Sequence, residues 1–175
     1  MAKDSFSDRF GTSGYPVFVR KLDKKSVWGH VSDDIGDRIP RVSSDVFSEN
    51  ENRFSLYSVT SDDELMRVVI GLNSFRRRLN DQMDLVAFTR AEIEEAGIVV
   101  VETPGNTECE SANRLHVDIH AADHTAYYQL CESAITRQRP AFRVSKSEAK
   151  SIARQLNVFG CHAFDGNDAC PCVDV

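Results

Sequence analysis

The chain lacks most of the features that assign a protein to a function class at sight. No apolar run approaches the ~20 residues of a membrane span, so the sequence predicts no membrane partner. Met1 to Gly14 are polar and carry no apolar leader segment. The five cysteines are odd in number and unevenly placed, which argues against a full disulfide framework. These absences together predict a cytoplasmic protein with reduced thiols. Basic residues are outnumbered: 21 Lys and Arg against 27 Asp and Glu give a net charge of −6. A dedicated nucleic-acid binder has the reverse balance, so nucleic acid is a disfavoured partner. There is no P-loop, no Gly-x-Gly-x-x-Gly, no Gly-x-Ser-x-Gly elbow and no His-Glu-x-x-His helix. There is no internal repeat and no low-complexity block.

What is present is an ordinary globular composition, 41% hydrophobic and 27% charged over 175 residues, enough for one domain with a real core. Residues 1–14 read as a flexible N-terminal arm, 15–160 as a single domain, and 161–175 as a Cys-rich C-terminal tail. Strands are predicted at 15–22, 54–59 and 84–88 from their aromatic and β-branched content. Asp23 to Trp28 reads as one helical turn, with Trp28 as a core anchor. Residues 29–44 read as a long polar loop, whose Asp33, Asp34 and Asp37 could attract a hard cation but are balanced by Arg38 and Arg41. Ile98 to Val101 is an unbroken apolar run, the pattern of a central strand buried on both faces.

Three capping boxes mark helix starts: Ser61 with Glu64, Thr89 with Glu92, and Ser145 with Glu148. The first opens a helix whose apolar positions Leu65, Val68, Val69, Leu72, Phe75 and Leu79 predict continuation to about residue 79. Arg76, Arg77 and Arg78 then fall at its negative end, where the helix dipole favours them. With Arg67 they also offer a minor nucleic-acid reading. Gly97 closes the second helix as a C′ residue. Asp123 caps a further helix, reaching about Ile135 with Tyr127 and Leu130 inward. The third box opens a final helix with Ala149, Ile152, Ala153 and Leu156 inward, ended by Gly160.

The densest chemistry lies at His116-x-Asp118-x-His120. Period-two alternation places Leu115, Val117 and Ile119 on one face of a strand and His116, Asp118 and His120 on the other. Imidazole and carboxylate suit zinc, iron or manganese, or an acid–base pair in which the carboxylate fixes the histidine tautomer. The same row also reads as a solvated strand face. His124 follows in the first turn of the next helix. A second candidate metal set is Cys161, His162, Cys170 and Cys172, whose thiolates and imidazole suit zinc if the tail is ordered.

Several stretches resemble a group of short bacterial proteins with no assigned activity. They are Arg41-Val42-Ser43-Ser44 with Phe47, Phe54-Ser55-Leu56-Tyr57, Leu85-Val86-Ala87-Phe88, Glu92 to Gly97, Ile98 to Val101, and Leu115-His116-Val117. The resemblance spans roughly residues 18–120 in pieces. It implies a site formed by Arg41, Ser43, Ser44 and His116. Asn113-Arg114 stands where that group has a proline-rich approach to the histidine.

The sequence thus predicts an α+β fold: one domain, a mixed sheet of about five or six strands, and three or four helices. The order strand–helix–strand–helix–strand across 54–101 suggests some parallel pairing. Two functional expectations stand side by side. One is a small cytosolic binding or regulatory module acting with a protein partner. The other is a metal-dependent or His/Asp acid–base enzyme built on His116, Asp118 and His120.

Overall fold

The computed structural model describes residues 9–12, 14–22, 28–32, 38–42, 53–75, 78–79, 82–107, 109–121, 123–137 and 141–158. In chain order the elements are β1 (Val17–Leu22), β2 (Trp28–Ser32), β3 (Arg38–Val42), β4 (Arg53–Val59), α1 (Asp62–Asn73), β5 (Ser74–Phe75), β6 (Arg78–Leu79), β7 (Gln82–Thr89), α2 (Arg90–Glu95), β8 (Val99–Glu102), α3 (Glu110–Asn113), β9 (His116–His120), α4 (His124–Thr136), β10 (Phe142–Ser145) and α5 (Lys146–Val158). Six strands form one sheet in the order β10-β7-β1-β4-β9-β8. β2 with β3 and β5 with β6 form two further hairpins. The class is α+β.

Every pairing in the main sheet is antiparallel. The parallel pairing anticipated for residues 54–101 is therefore corrected, for a topological reason. β4, β7 and β8 do run in one direction, as the crossovers through α1 and α2 require. But β1 inserts between β7 and β4, and β9 inserts between β4 and β8, each running opposite to its neighbours.

The sheet separates two apolar cores. On one face, Val17, Val19, Val59, Leu85 and Val144 meet α1, α3 and α5 through Leu65, Val68, Val69, Ala112, Ala149, Ile152 and Leu156. On the other face, Phe18, Phe54, Leu56, Val86, Phe88, Val117 and Ile119 meet α2 and α4 through Ile93, Tyr127, Leu130 and Cys131. Period-two alternation supplies both faces at once in β1 and β7, where Val17 and Val19 back on Phe18, and Leu85 and Ala87 on Val86 and Phe88. Within the stretch read as an arm, Phe10 is fully buried in the first core, and Arg9 pairs with Glu148.

The helix starts follow the capping logic, with variations. Thr89 and Glu92 form a complete box: Thr89 Oγ1 accepts from Glu92 N at 3.3 Å, and Glu92 Oε2 accepts from Thr89 N at 2.7 Å. Gly97 follows at φ 69°, a left-handed C′ residue. At α1, Ser61 Oγ accepts from Glu64 N at 3.3 Å, but the Glu64 carboxylate accepts from Thr60 N instead, at 2.6 Å. At α5, Ser145 Oγ accepts from Glu148 N at 3.3 Å, while the Glu148 carboxylate turns to Arg9. Asp123 caps α4, accepting from Thr125 N at 2.8 Å and Ala126 N at 3.3 Å.

Two elements depart from expectation. α1 ends at Asn73 rather than near Leu79, and the β5–β6 hairpin follows. Asn and Ser at 73–74 have lower helix propensity than the Leu, Met and Arg of α1, and the helix stops there despite the apolar spacing beyond them. Arg78 therefore lies on β6, not in a last helical turn, and Arg76 and Arg77 lie outside the described residues. The polar loop expected over 29–44 contains the β2–β3 hairpin, with Trp28 opposite Val42 and Val31 opposite Ile39. Pro40 is tolerated there because a two-stranded ribbon has only edges. Residues 33–37, including the aspartate cluster, lie outside the described residues.

Candidate functional site

β9 lies between β4 and β8. Tyr57 stands opposite His116, and Ser55 opposite Asp118. Across β8, Val101 stands opposite Asp118 and Val99 opposite His120. Directly opposed residues share a face, so His116, Asp118, His120, Ser55, Tyr57, Val99 and Val101 lie on the side covered by α1, α3 and α5. Val117 and Ile119 bury into the other core, as alternation dictates. Leu115 does not join them. It lies in the turn before β9, where its N–H donates to Ala112 O at 2.9 Å, and it packs on the first core. Alternation holds only inside the strand, and the strand begins one residue later than its pattern suggests.

The polar row is not a solvated face. The His116 and Asp118 side chains are only 11% and 8% exposed. The His116 ring meets Tyr57 edge-on at 5.2 Å. His116 Nδ1 lies 2.9 Å from Thr103 Oγ1 and 3.2 Å from Thr103 O. The hydroxyl can donate to Nδ1 or accept from it and the carbonyl can only accept, so Thr103 engages Nδ1 in either tautomer. Nε2 stands 4.0 Å from Asp118 Oδ1, beyond hydrogen-bonding distance. Asp118 Oδ1 instead accepts from Ser55 Oγ at 3.0 Å. The carboxylate therefore sits between the hydroxyl and the imidazole, so Ser55 is not placed against the base as a nucleophile must be.

The cover over His116 comes from residues 103–107. Asn113 holds that segment: its Oδ1 accepts from Thr107 N at 2.8 Å and Thr107 Oγ1 at 2.7 Å, and its Nδ2 donates to Thr107 O at 2.9 Å. Gly105 N donates to Asn113 O at 3.2 Å. A Cβ at Gly105 would lie 2.8 Å from Asn113 Oδ1 and 3.1 Å from His116 Cβ, so only glycine allows this approach. The organising role of Asn113 was missed in the sequence; the Pro-Gly turn at 104–105 was its only local signal.

Among the described residues, no group of three or more His, Cys, Asp or Glu side chains could hold a metal ion. His116 and Asp118 come together; His120 makes no third ligand with them. The His124 side chain lies outside the described residues, as do Ser43, Ser44, Cys161, His162, Cys170 and Cys172. Arg41 lies on β3, opposite Gly29. That strand packs against α4, the helix covering the sheet face opposite His116. The described part of the expected Arg41–His116 site is therefore split across the sheet.

β8 is the feature the sequence misread most. Its unbroken valines predict a central strand, yet it is the edge of the sheet. Val99 and Val101 are 61% and 40% exposed, the only large hydrophobic side chains in that state among the described residues. Thr103 N donates to His116 O, so alternation turns the N–H and C=O groups of Val100 and Glu102 outward from the sheet. Ser58 N donating to Leu115 O fixes the same phase from the other side of β9. No described strand takes up those outward groups.

A cleft of about 300 Å³ opens beside this edge, where β4 ends and α1 and α2 begin. Phe18, Val100 and Val117 line it together with Ser58. Thr60, Glu64, Arg90, Glu102 and Arg114 also line it, with Leu115 and His116 at its end. Arg90 lies over the Phe18 ring, 5.3 Å from its centroid.

No described helix is long and apolar enough to cross a membrane. No family model, no curated protein and no solved structure matches this chain.

Proposed function

We propose that the chain is a small binding or regulatory module that engages a protein partner by strand addition at β8. The observation that carries this reading is the edge itself, beyond which no described strand lies. Outward N–H and C=O groups at Val100 and Glu102 lie beside the exposed Val99 and Val101. An exposed apolar edge is a template for pairing with another chain, and proteins that do not use one blunt it with lysine, proline or a bulge. β8 has no lysine or proline, and its one charge, Glu102, stands at its end. The acidic balance favours protein over nucleic acid as the partner. Cys109 and Cys131 are buried and not joined in a disulfide, in keeping with a reducing, cytoplasmic setting.

The test is affinity capture from host lysate with the intact chain and with a Val99→Lys/Val101→Lys variant. The expected outcome is a partner retained by the first and lost by the second. A monomer that retains no protein, or a partner retained equally by both, contradicts the reading.

A second reading, acid–base chemistry by His116 and Asp118, rests on their 4.0 Å approach beside the cleft. It ranks second because Nδ1 is engaged by Thr103 and Asp118 by Ser55. Elemental analysis of untagged protein tests its metal-dependent form, which requires one equivalent of bound metal.

A further inference from the structure

We propose that the strand taken up at β8 belongs to a basic partner segment that runs antiparallel to it, with a lysine or arginine opposite Glu102 and β-branched residues opposite Val99 and Val101. This inference rests on strand addition at β8 and names the chemistry of the partner. The backbone sets the register. Val100 and Glu102 turn their N–H and C=O groups away from β9, so these two residues are the ones that exchange paired hydrogen bonds with an added strand. Antiparallel addition continues the rule of the sheet, in which every pairing is antiparallel.

The side chains set the composition. Val99 and Val101 are exposed on one face, and directly opposed apolar residues on the added strand cover them. Glu102 is exposed on the other face. Across β9 its neighbour is Val117, and the neighbour of Val100 is Ile119. Glu102 is therefore the one charge of β8, set beside an apolar row, and β9 places no cation opposite it. A residue of the added strand stands directly opposite it, where an opposite charge stabilises the pair and a like charge destabilises it. The net charge of −6 also draws a basic segment towards the molecule. Alternation then fixes the partner pattern as Lys-Val-x-Val, read from the residue opposite Glu102 to the residue opposite Val99. A second copy of the chain fits less well: two molecules of net charge −6 repel, and each brings a glutamate rather than a cation to the shared edge.

Two capped peptides test this on the isotope-labelled full chain: Thr-Thr-Lys-Val-Thr-Val-Thr-Thr, and the same peptide with glutamate in place of lysine. The amides of Val100 and Glu102 are followed by chemical shift and by hydrogen exchange. The expected result is saturable shifts and slowed exchange at both amides, with the lysine peptide binding at least about fivefold tighter than the glutamate peptide at low salt. Glu102→Lys should reverse that preference. Equal binding of the two peptides, or tighter binding of the glutamate peptide, overturns the basic partner and leaves strand addition standing. Binding of neither peptide at millimolar concentration overturns the proposal, and strand addition is then judged by the capture experiment alone. Protection of the two amides that rises with protein concentration in the absence of peptide also overturns it, and assigns the edge to a second copy. The peptide pair on the unaltered chain decides the matter even if the variant fails to fold.

Discussion

His116 is held by Thr103 at Nδ1, by the edge of the Tyr57 ring, and by the close passage of Gly105. Removing it strips a hydrogen bond and leaves a hole. His116→Ala should therefore cost about 1–3 kcal/mol in urea unfolding, more than an exposed histidine would. A loss below about 0.5 kcal/mol, the range of surface changes, would show the ring to be held for chemistry rather than for structure. Tyr57 gives a pH signature. Burial pushes its hydroxyl up to about 12 from the ordinary 10, with the nearby Cys109 thiol adding to the shift. A raised folded value means stability is complete below the unfolded value and falls as pH rises from about 10 to about 12. At most about 2–3 kcal/mol should be lost in that window. Tyr15, Cys131 and Tyr127 are shifted in the same direction, chiefly by burial. Tyr57→Phe should flatten part of the alkaline decline, which denaturant melts at pH 9, 10.5 and 12 would measure. Gly71 is a packing position: a Cβ there would lie 2.7 Å from Ala112 Cβ, where α1 crosses α3. Gly71→Ala should destabilise by about 1–3 kcal/mol, despite the better helix propensity of alanine.

At the scale of elements, local chemistry was readable wherever it was self-contained. Thr89 and Glu92 make the box that their spacing announces, and Gly97 takes the positive φ that a C′ residue needs. Glu92 is also buried and within 3.7 Å of Arg137 at the end of α4, which ties the two helices together. Thr89→Ala should therefore cost about 1 kcal/mol, with calorimetry as the check. Elements whose fate depends on distant partners were not readable. Val99-Val100-Val101 has the composition of a central strand, but centrality is decided by what lies beside it. Leu115 fits the alternation of β9, but α3 holds it in a turn on the other face. Helical spacing runs past Asn73 to Leu79, while the chain turns into a hairpin. Of the candidate site, the adjacency of His116 and Asp118 followed from spacing alone. The cover formed by Asn113 and Gly105 needed the fold. Ser43, Ser44 and the cysteines of the tail lie outside the described residues.

For the molecule as a whole, the sheet has two ends of different character. β10 is one edge strand, tied to β7 by Arg143, which donates to Asp84 through hydrogen bonds of 2.9 and 3.0 Å. β8 is the other edge strand, with no described strand beyond it and the exposed valines Val99 and Val101 along it. A Val99→Lys/Val101→Lys variant should change unfolding stability by no more than about 0.5 kcal/mol, because it touches no core position. Amide hydrogen exchange along β8 tests strand addition at that edge most directly. In the isolated chain, Val99, Val101 and Thr103 should exchange slowly, bonded to β9, while Val100 and Glu102 exchange fast. Adding the captured partner should slow Val100 and Glu102 selectively. If those two amides are as protected in the isolated chain as Val101, the edge is already occupied, and strand addition at β8 is contradicted.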